Sequence, residues 1–337
     1  GRQRHMCIRD RGKEAGAIIA LDPKTGETLA LASRPSFDPN ALSRGLSPKE
    51  WRSILQDKRH PLTNRAIQGL YPPGSTFKIV MATAALETSG GDMTDTIQCR
   101  GRFRFGKRTF RDWKASGHGS MNLHNAMTHS CDVYFYKMGK RLGIESIAKY
   151  ATLFGLGEKT GIDLPSEQSG IVPSPEWKEK MRGERWYPGE TISVSIGQGY
   201  VTVTPIQMAK IIATISNNGV ARQPKLVQGI RRRHTGKVET LPSSKGISLG
   251  LQPNFVKSIQ DSLASVVSDG TARRANSRLV TIAGKTGTSQ VIARQSDKEK
   301  ETPKEFRDHA WFVSVSYTHL RAHETEADLV CRLLLEK

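Results

Sequence analysis

An α+β or three-layer α/β/α architecture is predicted from three observations: an apolar hairpin near the start, two helices apolar on nearly every face, and a strand pair near the end. Residues 15–22 form an apolar run that reads as a buried strand, 23–26 as a turn opened by Pro23 and closed by Gly26, and 27–33 as the returning strand. Tyr71-Pro72-Pro73-Gly74 is a rigid stop directly before Ser75. From Thr76 to Glu87 the chain then carries Phe77, Ile79, Val80, Met81, Ala82, Ala84, Ala85 and Leu86. A helix apolar all round is a buried one. A second helix opens at Thr204-Pro205, with proline in its first turn, runs through Ile206, Ala209, Ile212 and Ile215, and stops at Asn217-Asn218-Gly219. Residues 277–283 read as a strand ending in Gly284-Lys285-Thr286-Gly287-Thr288. The charged stretch 293–309 loops out, and 310–315 returns as a further strand.

A chain of 337 residues accommodates one large domain, or a major domain with appendages. With 36% hydrophobic residues, five Trp and 25% charged residues, it has the material for a core, which excludes a disordered chain. No run of eighteen apolar residues occurs, and the opening residues lack the apolar centre of a signal peptide. Four cysteines are too few for a disulfide scaffold at this size. The 51 Lys and Arg against 32 Asp and Glu give a net charge of +19, which calls for an anionic partner: nucleic acid, a membrane surface or an acidic polymer.

The sharpest chemical signal is Ser75-Thr76-Phe77-Lys78. Residues at i and i+3 share a helix face, so the Ser75 hydroxyl and the Lys78 amine point into one space at the start of a buried helix. Burial lowers a lysine pKa and suits the amine to take the serine proton, and the positive helix end favours negative charge developing near Ser75. Taken alone, the pattern is more often a capping serine followed by a snorkelling lysine. Two further segments reverse that balance: Ser130-Cys131-Asp132, and then Lys285-Thr286-Gly287-Thr288. S-x-x-K followed by S-D-N and K-T-G segments marks serine β-lactamases and penicillin-binding proteins. The Ser130 hydroxyl can relay a proton from Lys78 to a leaving amine, and Asp132, standing where Asn is usual, can orient substrate amides and Lys78. Lys285 offers a fixed positive charge to a carboxylate. Gly287 leaves the strand open for a peptide to lie alongside it. Backbone N–H groups of Ser75 and Thr288 would form an oxyanion hole.

The chain resembles the transpeptidase domain of the penicillin-binding protein 2 family, class B enzymes of the elongation machinery, over residues 15–315. The resemblance rests on the segment from Tyr71 to Lys78, Gly117-His118-Gly119, Ser130 to Tyr136, Gly161 to Pro165, Gly197-Gln198-Gly199-Tyr200, Thr204 to Met208 and Gly284 to Ser289. It implies a three-layer serine β-lactamase/transpeptidase-like fold: an antiparallel sheet with helices on both faces, plus an all-helical subregion. It also implies a serine-type D-Ala-D-Ala transpeptidase/carboxypeptidase of peptidoglycan synthesis, serving cell elongation and rod shape. Ser75 would be acylated by a donor stem peptide with loss of D-Ala and would pass the acyl group to an amine of a neighbouring strand; β-lactams would acylate the same serine. Lys78 would be the general base, Ser130 the proton relay and Asp132 an orienting group. Lys285 and Thr286 would bind the substrate carboxylate, beside Gly287 and Thr288. Implied partners are stem peptides, lipid-linked precursor, a RodA-type glycosyltransferase and the MreC scaffold, at the periplasmic face of the inner membrane, with no organic cofactor and no nucleic acid. A class A β-lactamase, the nearest rival, carries Glu-x-x-Leu-Asn between its second and third motifs, and no such segment occurs here. The alternative of a different kind is a catalytically silent module that senses β-lactams or wall fragments.

Cys99, Asp112, His118 and Cys131 place four metal-ligand types within 33 residues, a donor set of two sulfurs, one nitrogen and one oxygen that tetrahedral zinc accepts. Their spacing is not that of a standard finger, and from the residues alone a Cys99–Cys131 disulfide or unlinked side chains are the commoner readings. The resemblance implies a structural zinc at this place. Between these residues, 100–114 interleaves Arg and Lys with Phe103, Phe105, Phe110 and Trp113. That pattern can mean nucleic acid, but reads better as a solvated hairpin carrying the metal ligands. Arg231 to His234 reads as an exposed turn.

Both ends depart from the family. Residues 1–14 read as a remnant of an upstream anchor and pedestal. Residues 316–337 resemble translated adapter sequence from metagenomic assemblies and are expected to be non-native, so His319, His323, Glu324 and Cys331 are discounted as ligands.

Overall fold

A computed structural model describes residues 15–89, 96–289, 308–317 and 329–336, the last as backbone alone. Strand β1 (Gly16–Leu21) and strand β2 (Thr28–Arg34) form the expected hairpin. Its turn is closed by the Asp22 carboxylate, which accepts from the backbone N–H groups of Lys24 and Thr25 at 2.7 and 3.1 Å. Two short surface helices follow, α1 (Pro39–Arg44) and α2 (Pro48–Gln56). A 3-10 turn, Gly74–Phe77, then leads into α3 (Lys78–Ser89), whose residues Lys78 to Leu86 are all buried. Strands β3 (Ile97–Cys99) and β6 (Gly119–Met121) pair around the hairpin of β4 (Arg102–Phe105) and β5 (Arg108–Arg111). Helices α4 (Leu123–Thr128) and α5 (Asp132–Leu153) come next, the latter interrupted at Gly143, then α6 (Pro175–Arg182), α7 (Pro188–Val194) and α8 (Pro205–Ser216). Four short strands, β7 (Val220–Ala221), β8 (Gly229–Arg231), β9 (Val238–Thr240) and β10 (Ile247–Ser248), pair as β7 with β10 and β8 with β9. The last pair encloses the expected exposed turn at Arg231 to His234. Helix α9 (Pro253–Ser268) precedes β11 (Thr281–Ser289), β12 (His309–Tyr317) and β13 (Leu329–Glu336).

The main sheet has the order β11-β12-β13-β1-β2 and is antiparallel throughout. Its two faces separate by the alternation of a strand. Ala17, Ile19, Leu21, Ala283, Trp311, Val313 and Val315 join the main core with α3, α5 and α8, whereas Ile282 and Phe312 pack with Val266, Val267 and Ala272 near the end of α9. Helices therefore meet both faces, as expected. The core around the start of α3 is dense: Phe77 of the 3-10 turn and Ile79, Val80 and Met81 of the helix are at most 1% exposed, each burial contributing roughly 1.5–3 kcal/mol. Helix α8 starts where the sequence placed it. Thr204 and Gln207 form a capping box, and the Gln207 amide donates to the carbonyls of Glu158 and Ser169 at 2.8 and 2.7 Å.

Three expectations shift. Ser75 lies in the 3-10 turn rather than the α-helix, because Gly74 adopts φ 54° behind two prolines and the chain enters α3 through a tighter coil. The strand expected from 277 begins at Thr281, because the Ser277 hydroxyl captures the Leu279 N–H at 3.1 Å and turns the chain before it can pair. The sheet runs past residue 315, where the domain was expected to end: β12 continues to Tyr317, and Leu329–Glu336 is hydrogen-bonded between β12 and β1. Ladder bonds are made by backbone, so a segment of any origin with strand propensity can fill that slot. The loop expected at 293–309 and the remnant 1–14 lie outside the described residues, apart from Asp308 and His309.

Candidate active site

The turn carrying Ser75 is wedged between two backbones. A Cβ on Gly74 would stand 2.6 Å from the carbonyl oxygen of Thr288, and one on Gly197 (φ 71°) would stand 2.2 Å from that of Gly74, so both positions require glycine. The Gly74 N–H donates to Gly197 at 2.9 Å, which ties Gly197-Gln198-Gly199-Tyr200 to the serine turn. Ser75 itself is half-buried, and Lys78, one turn later, is fully buried.

Lys78 turns its ammonium toward the second motif. Its Nζ donates to the Ser130 carbonyl at 3.0 Å, to Ser130 Oγ at 3.2 Å and to Asp132 Oδ1 at 2.6 Å. From β11, Lys285 Nζ reaches the same hydroxyl at 2.9 Å. One serine oxygen thus stands between two amines, with a carboxylate closing the far side. Burial, then the charge of Lys78, holds the Lys285 pKa well below the ordinary lysine range, against the opposing pull of Asp132. Ser130 adopts φ 55°, a left-handed conformation that costs a non-glycine residue roughly 1–3 kcal/mol. Its carbonyl is secured twice, by Lys78 and by the Trp113 indole N–H at 3.1 Å.

Thr286, Gly287 and Thr288 follow Lys285 along β11. Gly287 also has a packing reason to be small. Its side chain would face the serine turn, 3.0 Å from Thr76 Cγ2 and 3.1 Å from the Pro73 carbonyl oxygen, so its smallness lets the turn sit on the strand. Thr288 is exposed beside Gly74. The Thr286 hydroxyl shares a 2.6 Å hydrogen bond with that of Thr271. Thr271 and Trp113 are site residues that sequence reasoning did not single out. Thr271 sits in a loop docked by its N–H on the Thr128 carbonyl at 3.4 Å, and the one hint was the adjoining Gly270, where a Cβ would meet Thr128 at 2.2 Å. Trp113 stands in the sequence reading as one aromatic of the basic segment 100–114, yet its backbone N–H donates to Asp132 Oδ2 at 3.3 Å while the side chain is 61% exposed.

Cys99, Asp112, His118 and Cys131 converge behind this centre, with ligand atoms all within 4.8 Å of one another. Cys99 Sγ lies 3.5 Å from Asp112 Oδ2 and 3.7 Å from His118 Nδ1, Cys131 Sγ lies 3.4 Å from Asp112 Oδ2, and His118 Nδ1 lies 3.5 Å from Asp112 Oδ1. Tetrahedral ligation with bonds of about 2.0–2.3 Å gives donor separations of about 3.3–3.8 Å, and these four distances fall in that range within a spread of 4.8 Å, so a small inward shift would suit a tetrahedral metal ion. Both cysteines are free, so the disulfide alternative is not formed. Burial, and then the Asp112 carboxylate, pushes the Cys131 thiol far above its usual range. Burial lowers the His118 pKa, favouring the neutral imidazole that binds metals. Asp112 also accepts from the N–H of Val133 at 3.0 Å, which fixes the first turn of α5 immediately after Ser130 and Asp132.

A family model described as the penicillin binding protein transpeptidase domain matches residues 16–319. The chain is 41% identical over 303 residues to the peptidoglycan D,D-transpeptidase MrdA of Acinetobacter baumannii, across 88% of this chain and 45% of that protein. It spans about half the length of the curated relatives it matches. Among solved structures, PBP2 of Pseudomonas aeruginosa in complex with WCK 5153 superposes with a TM-score of 0.82 at 33% identity, covering 99% of this chain and 69% of that one. PBP2 of Helicobacter pylori in complex with MreC gives 0.83 at 30% identity, covering 99% and 58%.

Proposed function

Because the chain belongs to the penicillin-binding protein transpeptidase family, we propose that it is a peptidoglycan D,D-transpeptidase with Ser75 as its nucleophile. The observation that carries this reading is the meeting of three motifs at one hydroxyl: Ser130 Oγ lies within hydrogen-bond distance of both Lys78 and Lys285, and Asp132 pairs with the Lys78 ammonium. In its neutral form Lys78 accepts the Ser75 proton as Oγ attacks the penultimate D-Ala carbonyl, and the oxyanion is held by the backbone N–H groups of Ser75 and Thr288. As the C–N bond breaks, the proton passes from Lys78 through Ser130 to the departing D-Ala amine, leaving an ester on Ser75. An acceptor amine then attacks that ester, its proton returns by way of Lys78, and Ser75 is regenerated. Lys285 and the Thr286 hydroxyl, oriented by Thr271, receive the terminal carboxylate.

The lowered pKa of Lys285 gives this assignment a pH signature. Only the ammonium form holds a carboxylate, so affinity is lost as pH rises through the lowered value. The concentration of penicillin giving half-maximal acylation should therefore climb well below the pH near 10.5 at which an unperturbed lysine titrates. A flat dependence up to about pH 10 would remove Lys285 from carboxylate binding.

Zinc is the metal best matched to Cys99, Asp112, His118 and Cys131. With four protein ligands its role is structural; it would neutralise two thiolates and a carboxylate behind α5. We assign the whole protein to cell elongation at the periplasmic face of the inner membrane. Its proposed partners are an MreC-type scaffold, by analogy with the H. pylori complex, and a RodA-type glycosyltransferase. The function is tested with a D-Ala-D-Ala stem peptide and an amine acceptor: release of D-Ala with formation of crosslinked product is expected. Penicillin acylation with neither product would instead identify a sensor.

A further inference from the structure

The β4–β5 hairpin has two unlike faces. Phe103 and Phe110 lie opposite each other and pack toward Tyr136 of α5, with ring centroids 6.2 and 5.5 Å away, and Lys140 Nζ lies 5.7 Å from the Phe105 ring. That side anchors the hairpin. On the other side Arg102 stands directly opposite Arg111, with Arg104 two residues along β4, and all three are exposed. Like charges placed opposite each other across a strand pair destabilise it. No acid lies between Arg100 and Arg111, and among the described residues none of these three guanidinium groups has an acidic partner.

The hairpin also has a direction. Arg111 leads through Asp112 to Trp113, whose N–H holds Asp132, so two residues, at most about 7 Å of extended chain, join the arginine face to the catalytic centre. We propose that Arg102, Arg104 and Arg111 form a docking surface for the free carboxylates of a wall strand whose neighbouring stem peptide occupies the active site. Guanidinium groups pair with carboxylates in a planar fork, which suits a repeating acidic glycopeptide. A second attachment to the same polymer raises the local concentration of the next stem peptide, so the surface favours long strands over single peptides. A nucleic acid or a flat anionic membrane would share the charge but not the continuity with the cleft.

This inference rests on the proposed transpeptidase reading, and the experiment separates the two. Wild-type protein and the triple variant R102Q/R104Q/R111Q are compared on soluble uncrosslinked wall strands, on the same strands with carboxyls amidated, on phosphatidylglycerol vesicles and on duplex DNA. The expected result is tight, salt-sensitive binding of wild type to unmodified strands. It should weaken roughly tenfold in the triple variant and likewise on amidation. The preference for strands over a monomeric pentapeptide in D-Ala release should fall in parallel. Fluorescent penicillin labelling reports that the variant is folded, and the amidated strands test the wild type without any variant. Equal binding of amidated strands, an unchanged triple variant, or equal or tighter binding to vesicles or DNA would overturn the docking surface. Failure of wild type to take penicillin would overturn the underlying function instead.

Discussion

A Ser75→Ala protein takes up no fluorescent penicillin under conditions that label the wild type to completion, a loss of at least about 10³-fold in acylation rate. The magnitude follows from the chemistry: without Oγ no ester forms, and no other described hydroxyl replaces it. Ser130 is held by two lysines in a left-handed backbone, and the Thr76 hydroxyl is engaged by the Pro73 carbonyl at 2.6 Å. Gel fluorescence after denaturation reads the result directly, because the adduct is covalent. Equal labelling of both proteins would displace Ser75 as nucleophile. A companion Lys78→Ala protein should lose most of the same rate while remaining able to bind, since the amine moves the proton but is not itself acylated.

Stripping the proposed zinc, or replacing Cys131 by Ser, is expected to produce the largest change in stability. The ion would hold together four donors gathered behind α5, and its loss would leave thiols and a carboxylate crowded with no counter-charge, a cost on the order of several kcal/mol. The change should appear as a fall of several degrees or more in thermal midpoint for a chelated sample, with about one zinc per chain in the untreated protein by metal analysis. Acylation should slow as well, because Asp112 and Trp113 brace the segment bearing Ser130 and Asp132. A purified protein without zinc, whose Cys131→Ser form melts with the wild type, would end the metal assignment.

Much of this centre is legible in the sequence. Ser75 and Lys78 stand out by their spacing once Ser130-Cys131-Asp132 and Lys285-Thr286-Gly287-Thr288 follow them in order. The four donors are visible by type, but the residues alone leave a disulfide or unlinked side chains open, and it is the fold that draws them together and shows the two cysteines free. What stayed hidden depends on tertiary contact. Thr271 acts through a hydroxyl of another element, and Trp113 acts partly through its backbone N–H, which every residue but proline possesses. The packing role of Gly287 is hidden in the same way, because its neighbour, the turn at Pro73 to Thr76, lies more than two hundred residues away in sequence. Sheet order was equally invisible, since pairing β1 with the final strand leaves no local trace. The arginines of the hairpin looked like ordinary solvated charge until the register set Arg102 against Arg111.

The back-to-back contact of Gly74 and Gly197 also bears on how such an enzyme could evolve drug resistance. Any side chain at either position collides with backbone, so selection cannot reshape the nucleophile turn there without dismantling it. Variation that weakens an antibiotic yet spares the native crosslink has to enter on the exposed rim of the site, at side chains such as that of Thr288, whose proposed part in catalysis is played by its backbone N–H. A survey of resistant isolates should find substitutions gathered on that rim and the glycine pair untouched.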